Sequence, residues 1–416
     1  MSIKHKFLLI GLTVVILGAL IVTGCTGAIA RGWAGGVVSD GTIFIASMKG
    51  KVIAIDATGN QLKSIGTSVK LVAQAASSGL SCIPSCSAQS VGMVIYSTPV
   101  VADAVDPDTG AVYQVVYIGG VDGKIYAYTL KNSVWSKDPE YVYPRQGNVI
   151  PSIIGDIILD HDTIYYALSD GTINALNAKD LTFKWSYATD SKIWSAPAVD
   201  GSTLYVGSFD KTVYALNTAD GTLKWTYKTD GAINSTPVID NNTVYIGDYS
   251  RHFYAINAAT GNSVWKFPGD NTGTGNPENF FWAKPAVLNG VIYAANLDGS
   301  VYTLDVSTGK LLNTFHLGDS ISSSPVVIGT NVIVATSVAS YAPTKQQGNI
   351  FIIDTLDNSK SLLSTLPHNE GINAPLFAYG NSVYVHTTKD NLYEIDTLTG
   401  KLSLSFSLVS ETYPTK

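Results

Sequence analysis

The sequence predicts an all-β protein, an eight-bladed β-propeller of four-stranded antiparallel blades that follows an N-terminal export segment. Three observations predict it. A unit of apolar runs with period two, broken by turn residues, recurs eight times along the chain. The recurrence has a basic spacing near 40 residues, as from Ala175 to Ala215 and from Ala215 to Ala255. No helical periodicity follows residue 24. A period near 40 with insertions suits propeller blades, whereas solenoid repeats are usually shorter and mostly helical. Radial stacking also buries both faces of each sheet and leaves no long free edge.

The chain opens with a positive Lys4-His5-Lys6 and an apolar run over 7–22, short for a stable membrane span, so 1–24 reads as a signal peptide. Val22-Thr23-Gly24-Cys25 resembles the lipobox of bacterial lipoproteins, which implies cleavage before Cys25 and lipidation of its thiol. The other reading is an uncleaved anchor with an incidental cysteine. Both place the remainder outside the cytoplasm, in a periplasm or at a cell surface, held at a membrane. Residues 25–32 form a short tether.

With 416 residues, 45% hydrophobic and 14% charged, the chain is long enough for one large repeat domain and too polar for a polytopic membrane protein. Loss of Lys4 and Lys6 with the leader takes the net charge from -6 to -8, and arginine occurs only as Arg31, Arg145 and Arg251. An acidic, arginine-poor surface lacks the basic stripe that nucleic acids require. Cys82 and Cys86 are expected to form a disulfide that pins a loop tip, worth about 2 kcal/mol. A metal site there would need further ligands, and no other His or Cys lies near in sequence.

The eight units align on their third strand: VIAID from Val52, IYAYT from Ile125, INALN from Ile173, VYALN from Val213, FYAIN from Phe253, VYTLD from Val301, IFIID from Ile350 and LYEID from Leu392. A turn glycine follows, as in Thr58-Gly59, Asp220-Gly221, Thr260-Gly261, Thr308-Gly309 and Thr399-Gly400, where glycine accepts a positive φ at no steric cost. Four residues beyond that position stands a tryptophan in units two to five: Trp135, Trp185, Trp225 and Trp265. Before the first strand recurs a triad such as Ser97-Thr98-Pro99, Ser195-Ala196-Pro197, Ser235-Thr236-Pro237, Ala283-Lys284-Pro285 or Ser323-Ser324-Pro325, with Gly155-Asp156-Ile157 in unit three. One position earlier stand Trp33, Tyr96, Trp194 and Trp282.

The string GxxYALDxxTGxxxW, matched best over 211–225, is similar to the signature of the PQQ-like, or quinoprotein-type, β-propeller repeat family. The resemblance covers 33–406, leaving 407–416 as a C-terminal tail. It implies blades around a central channel, with Trp135, Trp185, Trp225 and Trp265 docking one blade on the next. Unit one supplies its own first strand and unit eight its own fourth, so closure is expected to rest on side-chain packing, in a monomeric propeller.

Insertions mark the expected binding face. Residues 66–95, 136–153, 268–281 and 338–348 fall in fourth-to-first or second-to-third connections, which share one side of a propeller. On that face the candidate binding residues are Tyr96, Tyr141, Tyr143, Arg145, Trp194, Arg251, His252, Phe280, Phe281 and Trp282. Arg251-His252 could meet an anionic group or a partner's carboxylate; a solvated turn explains them equally simply, as core packing does the repeat aromatics. On the other face Asp103, Asp106 and Asp108 faintly resemble a calcium loop, yet they are also ordinary hairpin chemistry.

PQQ-dependent dehydrogenases in this family hold PQQ with an adjacent-cysteine disulfide and calcium with Glu and Asn ligands. This chain has no vicinal cysteines, and its five glutamates, at 140, 278, 370, 394 and 411, sit in no recognisable ligand motif. No catalytic residues and no cofactor are expected, with PQQ and calcium the alternative. An eight-bladed repeat behind a lipobox resembles the BamB-type lipoproteins, which implies a membrane-anchored scaffold that binds an envelope protein partner, as in outer-membrane protein assembly. A third reading is surface-polysaccharide binding.

Overall fold

The computed structural model describes residues 34–58, 63–66, 68–71, 94–136, 139–144, 150–269, 276–337, 347–367, 370–372 and 374–410. Cys25, Trp33, Cys82, Cys86 and Arg145 lie outside the described residues, as do the leader, the tether and most of the insertion around the cysteine pair.

Alternating apolar runs become strands wherever the repeat places them. In blade 4 these are Ala198–Asp200, Thr203–Gly207, Thr212–Asn217 and Leu223–Lys228. Each strand pairs antiparallel with the one before, through Tyr205↔Ala215 and Ala215↔Trp225 for example. Eight such sheets occur among the described residues, spanning 36–70, 100–143, 158–188, 198–228, 238–267, 286–316, 326–365 and 377–407, the first two with a fifth short strand. The two middle strands of blade 4 are buried almost throughout, while its fourth strand alternates exposed and half-buried residues. Neighbouring blades therefore cover both faces of the inner strands, and the fourth strand forms the outer rim.

The recurrent tryptophans dock blade on blade. Trp185 Nε1 donates to Thr218 O in the next blade at 2.9 Å, Trp225 to Ala258 O at 2.9 Å and Trp265 to Val306 O at 3.0 Å. A tyrosine on the second strand donates to the same carbonyl in each case, from Tyr165, Tyr205 and Tyr245. The turn glycine has two reasons to be glycine. Gly221, Gly261 and Gly309 have φ of 73°, 75° and 68°. A Cβ on them would also stand 2.6, 2.7 and 2.5 Å from the indole of the preceding blade.

Blade 2 departs from this expectation. Trp135 does not occupy the docking position; it pairs with Leu130 across a tight turn whose Asn132 and Ser133 have positive φ. Its indole packs edge-on against Phe44 of blade 1, with centroids 6.1 Å apart. The register partner of Ala127, which corresponds to the places of Trp185, Trp225 and Trp265, is Tyr141. In blade 3, buried Leu181 with φ 54° takes the turn position that glycine holds elsewhere and shares a cluster with Tyr117 and Tyr141 of blade 2.

Blades 1 and 8 each keep their own four strands, and side chains close the ring as expected. Ile43, Ile45, Ile53 and Ile55 meet Phe377, Tyr384, Leu392, Phe406 and Leu408 in one cluster. Buried His386 adds polar contacts across the seam. Its Nδ1 donates to Ala34 O at 3.0 Å and its Nε2 lies 2.9 Å from Asp390 Oδ1, which accepts from Met48 N at 3.0 Å.

Candidate functional site

Because the strands of a blade alternate in direction, the second-to-third and fourth-to-first connections share one side. On that side the residues around the triad line a cavity of about 310 Å³ at the mouth of the channel. An upper ring carries Tyr96, Ile154, Trp194, Asn234, Trp282 and Ser322 from blades 2 to 7, and the next ring inward contributes Asp156, Ala196, Thr236, Lys284 and Ser324.

In blades 2, 4 and 7 the small residue of the triad is held by its own blade, while Ser235 of blade 5 donates to Ala283 O of blade 6 at 3.0 Å. Ser97, Ser195 and Ser323 each donate from Oγ to a second-strand carbonyl at 3.1 Å. The middle residue staples one blade to the next. Gly35 N donates to Thr98 Oγ1, Thr98 N to Asp156 Oδ1 at 2.6 Å, Ala196 N to Thr236 Oγ1 and Lys284 N to Ser324 Oγ. Burial raises the Asp156 carboxyl above its ordinary range, and the bond from Thr98 and the charge of Lys284 oppose that rise. Asn234 is 8% exposed, and its Oδ1 has no hydrogen-bond partner among the described residues.

Outside the mouth, aromatic rings run in contact over blades 4 to 6. Trp194 meets Phe209 edge-on at 4.7 Å and Phe209 meets Tyr249 at 5.6 Å. Tyr249 stacks on Phe280 at 5.0 Å and on Trp282 at 6.0 Å. Burial pushes the Tyr249 hydroxyl up to about 12, so it stays a neutral phenol near pH 7. Phe280 is 38% exposed and the other four are half-buried, which leaves a continuous, rigid aromatic surface on the binding side.

The structure thus brings together Tyr96, Trp194 and Trp282 around the mouth, with Phe280 beside them, and separates several other candidates. Phe281 is 1% exposed and packs against Phe253 and Tyr302, so it belongs to the core. Its copies Ile95, Ile153, Ile193, Ile233 and Ile321 are all fully buried, a signal that alignment of the units could have supplied. Tyr141 and Tyr143 stand on the outer strand of blade 2 rather than on a loop, and Tyr143 stacks on Phe183 of blade 3.

Arg251 is exposed in the second-to-third loop of blade 5 with φ 69°, the place of a turn glycine in other blades. His252 Nδ1 lies 3.1 Å from Asp230 Oδ2 in the adjoining connection without the alignment of a hydrogen bond. Buried Asp248 holds this loop, accepting from Ser250 N, His252 N, Gly231 N and Tyr254 Oη. Asp103, Asp106 and Asp108 are not gathered into a metal-holding group. Asp106 instead caps its own hairpin, accepting from Asp108 N and Thr109 N at 3.1 Å, with Lys131 Nζ 3.4 Å away. Asn234, Phe209 and Tyr249 are the residues that sequence reasoning left out. Asn234 betrays itself as the amide at a ring position that is aromatic in blades 2, 4 and 6.

Residues 184–403 match the family model described as outer membrane protein assembly factor BamB. Comparison with curated protein sequences gives no significant match. Among solved structures, the chain is similar to BamB from Moraxella catarrhalis at 17% identity and a TM-score of 0.54, over 74% of this chain and 89% of that one. It is also similar to the computationally designed protein Ika8 at 14% identity and a TM-score of 0.60, over 86% of this chain and 94% of that one. At these identities the shared property is the fold.

Proposed function

The chain belongs to the family described as outer membrane protein assembly factor BamB, and on that premise we propose that it is a non-catalytic scaffold, anchored to a membrane through lipid on Cys25, that holds an envelope protein partner on the mouth side of the propeller. Its specific role on this reading is BamB-like, in the assembly of outer-membrane proteins. The observation that carries the reading is the half-exposed aromatic surface from Trp194 through Phe209 and Tyr249 to Phe280. Rigid aromatics with one polar end are the side chains that dominate protein interfaces, since they cover area at little cost in entropy. Arg251 at its border adds a cation of the kind that selects a partner's carboxylates.

The test is co-purification from detergent-solubilised membranes of cells that make the full chain. A partner recovered with the wild type should be lost from Phe280→Ser and weakened by Arg251→Glu, with each variant losing no more than about 1 kcal/mol of stability. Cys25→Ser should move the protein to the soluble fraction. Undiminished recovery with both surface variants would rule out this face as the interface.

A further inference from the structure

We infer that the channel-mouth cavity is a saccharide site that takes one uncharged pyranose ring, stacked on Trp194 and Trp282 and hydrogen-bonded by Asn234. The inference does not rest on the scaffold reading, since the cavity belongs to this chain alone.

Asn234 gives the first argument. In blade order it stands between the two tryptophans, and all three line the cavity. A buried amide oxygen without a partner is costly, and native proteins rarely leave one so. At 8% exposure Asn234 Oδ1 is such an atom, on a wall where a ligand hydroxyl could donate to it.

The rim gives the second. The electron-rich faces of indole and phenol rings attract the polarised C–H groups on the flat side of a sugar ring. Trp194, Trp282 and Tyr96 line the cavity together with the Asn234 amide and the hydroxyl-bearing Thr236 and Ser324. This pairing of aromatic rings with polar wall groups matches a pyranose, whose faces are apolar and whose edge is polar. A purely apolar ligand would leave Asn234 Oδ1 without a partner.

Charge and size narrow the choice. The charged side chains on the cavity wall are Asp156 and Lys284, one of each sign, so the lining selects neither an anion nor a cation. The Asp156 carboxyl is in addition raised toward its neutral form by burial. A volume of about 310 Å³ suits one sugar ring, with the rest of a glycan leaving through the open mouth. The platforms are also ordered in advance, because Phe209 and Tyr249 link Trp194 to Trp282 through ring contacts, which lowers the entropy lost on binding.

The experiment uses the full-length protein in detergent, with saturation-transfer NMR against methyl glucoside, galactoside, mannoside and N-acetylglucosaminide. Glucosamine and methyl glucuronide serve as charged counterparts, and indole fluorescence gives affinities. At least one neutral pyranoside should bind in the millimolar range. Trp282→Leu should weaken it about tenfold and Asn234→Leu about fivefold, the worth of one hydrogen bond. Asn234→Asp, which keeps the acceptor, should bind better than Asn234→Leu, and near-UV circular dichroism checks each variant's fold. Absence of binding by every neutral pyranoside, or binding that neither variant changes, would overturn the inference. So would binding by the charged sugars alone. If the indole signal responds to a co-purified protein and to no sugar, the cavity belongs to the protein interface and the assignment is wrong. A partner lost at Phe280→Ser alongside intact sugar binding would separate the two sites.

Discussion

Replacing the turn glycine of blade 5 should show what holds one blade to the next. Gly261 has φ 75°, and a Cβ there would lie 2.7 Å from Trp225 Cδ2 and 2.9 Å from its Cγ and Cε3. Gly290 provides the control, with φ 77° and nothing within 4 Å of the same added atom. Alanine pays the left-handed backbone penalty at both sites, about 1–2 kcal/mol. Only Gly261→Ala must also push the indole away, an overpacking that costs about 1–3 kcal/mol. It also strains the 2.9 Å bond from Trp225 Nε1 to Ala258 O, worth about 1 kcal/mol. The expected losses are about 1–2 kcal/mol for Gly290→Ala and about 2–6 kcal/mol for Gly261→Ala. Urea unfolding reads the difference as a larger fall in midpoint at unchanged slope. On a Trp225→Ala background the extra cost of Gly261→Ala should vanish. Equal losses at the two glycines in the wild-type background would refute the docking contact.

Other outcomes follow from the same geometry. Burial raises the Asp156 carboxyl, so its protonated form stabilises the fold below the ordinary carboxylate pKa of about 3.9, and that stabilisation is lost as pH rises through the raised value. Asp156→Asn keeps an acceptor for Thr98 N and should melt higher than the wild type at neutral pH, the gain shrinking toward acid; a lower melting point at neutral pH would contradict the assignment. Phe281→Ala should cost about 3–5 kcal/mol and its neighbour Phe280→Ala about 1 kcal/mol or less, since one fills the core and the other lies at the surface. Phe406→Ala, in the closing cluster of blades 1 and 8, should cost about 3–5 kcal/mol in the same urea assay; a loss below 1 kcal/mol would place closure elsewhere.

The blades were legible because each repeat writes the same local chemistry: alternation for strands, glycine for the left-handed turn, proline before the first strand. Long-range consequences were less so. Glycine at 221, 261 and 309 is fully explained by its φ, so nothing in the sequence says that an indole also rests on it. Trp135 sits at the right distance from its neighbours in sequence, yet a two-residue turn at Asn132-Ser133 moves it out of register and hands the docking place to Tyr141. Phe280 and Phe281 are adjacent, and alternation sends one to the surface and the other inside; only the buried isoleucines at the matching position tell which is which. The mouth aromatics Tyr96, Trp194 and Trp282 were readable as repeat positions. Contact between Trp194 and Trp282 through Phe209 and Tyr249 was not, because it joins loops from three blades.

The claim that a partner sits on the mouth side is tested most directly by placing a photo-crosslinking amino acid at single positions of the full chain in living cells. Phe280 reports on the mouth side, and Val105 at the end of a first strand and Leu398 in a third-to-fourth turn, both exposed, report on the opposite side. A covalent protein adduct formed from position 280 and absent from 105 and 398 is the predicted result. Adducts from 105 or 398 with none from 280 would contradict it.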